Sequence, residues 1–285
     1  MPRAEANGVE LFYEVAGAGD PLVLVHGSWG DHHTWLPALP ALAARFRVLV
    51  YDRRGHSRSE RPPGQGARHE DEEDLASLME TLGFAPAYVA GTSFGASTAL
   101  GLAARRPDLV RGLVAHDPPL TGIVPDDPGL RPLMSAVEES FAAVLTHLRD
   151  HEPEAAARRF TDEIALGPGT WDGLPPWVQQ TFLANASTFL DEHGDPHGAH
   201  LDLAGLAACT GPVLLTRGTD SPPWCAAITG RLVAALPQAA TLTFEGAGHI
   251  PHVTHPEAYA RAVTAFADRA GGGSVAASAA AGPRP

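Results

Sequence analysis

The chain of 285 residues carries 33 Asp and Glu against 20 basic residues, all arginine, for a formal net charge of −13. With 44% hydrophobic and 19% charged residues it is of ordinary globular composition, long enough for one large α/β domain or two small ones. A chain without lysine cannot form a Schiff base or complete a G-x-x-x-x-G-K phosphate loop, and its acidity repels nucleic acid and anionic membranes, so neither is an expected partner.

In chain order, residues 1–15 carry charge where a signal peptide needs an apolar core, and no apolar run reaches bilayer length, which points to a cytoplasmic protein. Valine- and leucine-rich runs at 21–25, 47–51 and 87–90 predict strands buried on both faces of a mainly parallel sheet. Helical stretches at 33–45, 70–82 and 96–106 alternate with them, the pattern of a doubly wound α/β sheet. The acidic run Glu70, Asp71, Glu72, Glu73, Asp74 reads as the solvated first turn of the second helix.

Two further strands are expected at 109–115 and 212–216, and the residues between them have helical periodicity at 133–148, 154–166 and 177–190. Residues 118–208 therefore read as a helical lid inserted into a core formed by 1–117 and 209–270. That core resumes with a helix at 224–236, a strand at 241–245 and a helix at 256–269. The small residues of 271–285 predict a disordered tail. Cys209 and Cys225 read as small buried apolar residues of a protein from a reducing compartment.

Chemistry concentrates in Gly91-Thr92-Ser93-Phe94-Gly95, a G-x-S-x-G between a predicted strand and a predicted helix. In a nucleophile elbow the serine takes a strained conformation, and its neighbours two positions away must be tiny. A serine hydroxyl needs a base, and the base an orienting carboxylate. His249, in a glycine-rich loop after one strand, and Asp220, just after another, supply both in the chain order Ser, Asp, His expected of an elbow enzyme.

On these motifs the chain resembles the α/β-hydrolase superfamily over residues from about 8 to 269. His26-Gly27-Ser28-Trp29 is similar to the family's oxyanion turn, and residues 52–59, DRRGHSRS, are similar to its D-x-R-G-x-G-x-S segment with Ser57 in place of the second glycine. The resemblance implies an oxyanion hole from the backbone NH groups of Phe94 and Ser28, with Trp29 the neighbouring alternative. It also places an aspartate three residues after Gly218, where this chain has Ser221; Asp220 is one residue early. Asp117, at the end of the strand before the insertion, is the alternative acid.

The expected activity is that of a serine hydrolase acting on an ester or related small acyl compound, without metal or organic cofactor. The same triad also serves carbon–carbon bond hydrolysis, cofactor-free perhydrolysis or a biosynthetic cyclisation, and a noncatalytic ligand-binding protein is the reading from another class. Candidate substrate contacts are Trp29 and His32 beside the oxyanion turn and Trp171, Trp177 and Phe182 in the insertion. His193, His197 and His200 with Asp191 and Asp195 have spacing that could close on zinc, but they lie in a glycine-rich turn with no rigid element behind it. His252 and His255 read as surface or helix-start residues.

Overall fold

The apolar runs become the strands of an eight-stranded sheet in a computed structural model, which describes residues 2–124 and 126–279. In chain order these are β1 (Arg3–Ala6), β2 (Val9–Ala16), β3 (Asp20–Val25), β4 (Phe46–Tyr51), β5 (Ala87–Thr92), β6 (Val110–His116), β7 (Val213–Gly218) and β8 (Ala240–Phe244). They lie side by side as β1-β2-β4-β3-β5-β6-β7-β8. From β4 to β8 every neighbouring pair is parallel, while β1 and β2 are antiparallel additions at one edge.

Because successive side chains of a strand point to opposite faces, each central strand feeds two cores. Val23, Val25, Leu49 and Val89 pack on one face with residues of helices α2 (Arg68–Thr81) and α3 (Phe94–Arg105). Leu22, Leu24, Val48 and Ala90 pack on the other with α1 (Leu39–Ala43) and α12 (Pro256–Ala279), whose Tyr259, Val263 and Phe266 are buried there. Between β6 and β7 run α4 (Arg131–Arg149), α5 (Pro153–Arg159), a π turn at Phe160–Ala165, α6 (Thr170–Gly173), α7 (Pro176–Asn185), α8 (Thr188–Gly194) and α9 (Leu203–Ala208). The remaining helices are α10 (Pro223–Ala235) and α11 (Pro251–Thr254).

Several elements depart from the sequence reading. β1 and β2 form a hairpin in which Ala6 pairs with Val9, leaving Asn7 and Gly8, both at positive φ, as the two-residue loop. The helix expected at 33–45 shortens to α1 behind a 3₁₀ turn at His32–Trp35, with Pro40 in its first turn. Helix α12 continues past Gly271, where composition suggests a tail, to Ala279; residues 280–285 of that tail lie outside the described residues.

The acidic run is solvated only at Glu70 and Glu73. Asp71, Glu72 and Asp74 are buried, and each meets an arginine: Asp71 meets Arg53 at 2.9 Å, Glu72 meets Arg68 at 3.2 Å and Asp74 meets Arg54 at 2.6 Å. Burial pushes the Asp71 and Glu72 carboxyls up to about 7, because the arginines offset only part of the desolvation.

Candidate active site

Parallel strands deliver the loops at their carboxyl ends to one edge of the sheet, and the chemistry-bearing residues follow their strands directly. Ser93 comes straight after β5, Asp117 after β6, His26 after β3, Asp52 after β4 and the Gly218–Ser221 turn after β7. His249 sits in the loop after β8.

Ser93 has φ 52° and ψ −126°, backbone that a side chain rarely adopts and that a tightly determined turn must hold. Its NH donates to the carbonyl of His116 and its carbonyl accepts from Ala96. A Cβ added at Gly91 would lie 2.3 Å from the Gly95 carbonyl oxygen, and one at Gly95 would lie 2.3 Å from that of Val25. The two glycines of the motif are therefore demanded by contact between strand, elbow and helix. Phe94 opens α3, so its NH has no partner one helical turn back.

The turn His26–Trp29 is set against the serine: a Cβ on Gly27 would stand 3.0 Å from Ser93 Cβ. His26 fixes this turn from within, its Nδ1 donating to the Gly27 carbonyl at 2.8 Å and its Nε2 accepting the Arg53 NH at 2.9 Å. That pattern requires a neutral ring, and burial brings the His26 imidazole down to about 4. Ser28 Oγ donates to Glu192 Oε2 at 2.5 Å, and Glu192 also pairs with the fully buried Arg53. Helix α8 of the insertion is thereby tied to the turn.

The carboxylate set against His249 is Asp117, not Asp220. His249 Nδ1 donates to Asp117 Oδ2 at 3.2 Å; the same oxygen accepts from Ser221 Oγ at 2.5 Å and lies 3.2 Å from His116 Nε2. Burial disfavours the charge on Asp117, but His116 and His249 outweigh it and hold the carboxyl well below the ordinary carboxylate range. Asp220 is exposed, its carboxylate accepting from Thr219 Oγ1 at 3.2 Å and from no other side chain among the described residues, and its backbone NH donates to Ala247. Ser221, one position on, is the residue of this turn whose side chain meets Asp117.

Ser93, His249 and Ser28 line one cavity of about 300 Å³. Its other walls come from both parts of the chain, Phe160, Leu166, Leu174, Val178, Trp177 and Phe182 from the insertion and Leu36, Pro37, Ile250 and Val253 from the core. Trp177 and Phe182, candidate substrate contacts in the sequence reading, are thus among the lining residues. Trp29, His32 and Trp171 are not lining residues. Trp29 is fully buried with φ 66° and stacks behind the wall on Phe160 and Phe182, at 5.4 and 6.2 Å between ring centroids. His32 turns away to Asp52, at 2.6 Å, and Trp171 is buried against Phe182.

The sequence reading missed His33, which lines the cavity while Asp31 accepts from its ring at 3.0 Å. Asp31 also accepts from Ser57 Oγ, and Ser57, at φ 43°, donates its NH to Asn185 Oδ1. The serine standing where a glycine is usual was the available signal, since its left-handed backbone is held by two side-chain bonds a glycine could not make in full. His193 of the histidine-rich turn packs on the rings of Phe189 and Phe141 and donates to the Phe189 carbonyl.

His252 stands at a helix start, in the first turn of α11, but not at the surface: it is fully buried between Trp35 and Tyr259, with Nε2 bonded to Thr34 Oγ1 at 3.0 Å. Burial holds its pKa well below the ordinary histidine value. A depressed histidine is neutral when folded but takes a proton when unfolded below about pH 6.5, so its contribution to stability is lost as pH falls from there. In His252→Leu, unfolding free energy measured at pH 7.5 and pH 5 should fall less on acidification than in wild type, by up to about 1.4 kcal/mol per pH unit. Parallel profiles would refute a neutral buried ring.

The sequence pattern of the alpha/beta hydrolase fold family matches residues 20–256, and the chain belongs to that family. It is an enzyme of that class. It is 28% identical to 2-(acetamidomethylene)succinate hydrolase of Mesorhizobium japonicum over 93% of this chain and 94% of that protein. A shorter match, 38% over 113 residues, spans 43% of an Azorhizobium caulinodans protein that bears the name of a carbamate hydrolase and 40% of this chain. In fold the chain is similar to the enol-lactonase of Burkholderia xenovorans, with a TM-score of 0.78 and 24% identity over 94% of this chain and 100% of the other. It is similar likewise to a Thermogutta terrifontis esterase, with a TM-score of 0.76 and 24% identity over 95% of this chain and 99% of the other.

Proposed function

We propose that the protein is a serine hydrolase of uncharged, predominantly apolar acyl esters, with Ser93 as nucleophile, His249 as base and Asp117 as acid. The observation that carries this reading is the His249–Asp117 hydrogen bond beside the elbow serine in one apolar cavity. His249 Nε2 takes the Ser93 proton as Oγ attacks the carbonyl carbon, and Asp117 stabilises the imidazolium that results. The tetrahedral oxyanion is met by the backbone NH groups of Phe94 and Ser28. The protonated histidine then gives its proton to the departing alcohol, and water, activated by the same ring, releases the acid from the acyl-enzyme.

The insertion, residues 118–208, serves as the lid: its Phe160, Leu166, Val178 and Phe182 close the cavity above Ser93. The Mesorhizobium relative is named for a succinate derivative, yet no arginine is among the described residues lining this cavity, so nothing cationic beyond histidine meets a substrate carboxylate. An apolar acyl chain gains about 0.8 kcal/mol per buried methylene, so lengthening butyrate to octanoate raises kcat/KM by up to roughly two orders of magnitude. Chromogenic acetate, butyrate, octanoate and hemisuccinate esters test this directly. Equal specificity constants along the series, or a preference for hemisuccinate, would refute the apolar assignment.

A further inference from the structure

The acid lies on β6, yet the position three residues after Gly218, where the resembled family keeps its aspartate, is not idle. On the basis of the Ser93–His249–Asp117 reading, we propose that Ser221 is a positioning residue that holds the Asp117 carboxylate toward His249.

Ser221 Oγ accepts the Gly218 NH at 2.8 Å and donates to Asp117 Oδ2 at 2.5 Å, so the backbone fixes the direction in which it gives its proton. Asp117 needs that restraint. Its backbone has φ 45°, and its buried Oδ1 has no hydrogen-bond partner among the described residues, so the polar contacts that orient the carboxylate fall on Oδ2. Ser221 holds Oδ2, the oxygen that His249 Nδ1 reaches.

The turn carrying Ser221 is also locked to the loop carrying His249. Asp220 NH donates to the Ala247 carbonyl at 2.9 Å, and Gly246 NH donates to Thr219 Oγ1 at 2.8 Å. The approach at Gly218 is so close that a Cβ there would stand 1.9 Å from the Ala247 oxygen. A side chain from position 221 therefore ends at the very oxygen that meets the catalytic imidazole, on a frame rigid with respect to it.

The test compares Ser221→Ala, Ser221→Thr, Asp117→Asn and the combination of Ser221→Ala with Asp117→Asn in ester hydrolysis, with folding checked by circular dichroism. Ser221→Ala should lower kcat about tenfold to a hundredfold with KM little changed, the scale of a misplaced catalytic group. In the Asp117→Asn background the same change should cost almost nothing, because Ser221 acts only through the carboxylate. Ser221→Thr keeps the hydroxyl and should recover most of the loss seen in Ser221→Ala. Wild-type kcat in Ser221→Ala, an equal loss in both backgrounds, or a Ser221→Thr no better than Ser221→Ala overturns the positioning role. Should Ser221→Ala not fold, Ser221→Cys, of similar size but a weak donor, is read in its place. Full activity in Asp117→Asn would instead sink the triad reading.

Discussion

Ser93→Ala should abolish covalent labelling by an organophosphonate and lower kcat for an ester by about six orders of magnitude, the loss seen when a serine nucleophile is removed from a working triad. The backbone makes this a clean experiment. The strained φ of 52° at Ser93 is imposed by the close packing of Gly91, Gly95 and the end of β3, not by the hydroxyl, so alanine occupies the same elbow. The hydroxyl makes no hydrogen bond to His249 in this structure, and proton transfer requires that gap to close when substrate is bound. Intact mass after treatment gives the answer: a shift in wild type alone is expected, and a shift of equal size in Ser93→Ala would move the nucleophile elsewhere.

What could be read from sequence is what local chemistry dictates. The elbow was legible because only glycine tolerates approaches of 2.3 Å between a Cβ and a neighbouring carbonyl, so the motif carries its own geometry. The central strands were legible because burial on both faces demands continuous apolar runs. β2 escaped because it lies toward the sheet edge with exposed Glu10 and Glu14, although Asn7-Gly8 is a strong hairpin signal that could have been used. The acidic run misled because nothing local announces that Arg53 and Arg54, from the loop after β4, will be buried against it. Trp29 and His32 were mistaken for cavity residues on proximity to the oxyanion turn; a left-handed residue at Trp29 sends its ring behind the wall, and His33 rather than His32 reaches the cavity. Contacts between residues more than a hundred positions apart, such as Asp117 with His249 or Ser28 with Glu192, have no local signature at all.

The choice of acid is the sharpest instance, and it yields the second large effect. Asp117→Asn should lower kcat by about four orders of magnitude, the cost of losing the carboxylate that fixes the tautomer and stabilises the imidazolium. Asparagine keeps the size of the side chain but replaces one carboxylate oxygen with a donor, which cannot accept from His249 Nδ1, and removes the negative charge that His116 and His249 both face. Asp220→Asn should stay within about twofold of wild type, since the carboxylate is exposed and its one side-chain contact, to Thr219, is local. Both variants are to be assayed with the same ester, and binding of an unreactive ketone analogue would report whether the cavity itself has changed. If Asp220→Asn is the dead variant and Asp117→Asn turns over normally, the loop after β8 must rearrange in solution to bring His249 to Asp220. The hydrogen bonds from Asp220 NH to Ala247 and from Gly246 NH to Thr219 argue against that movement, because they hold the two loops in the register that points Asp220 outward.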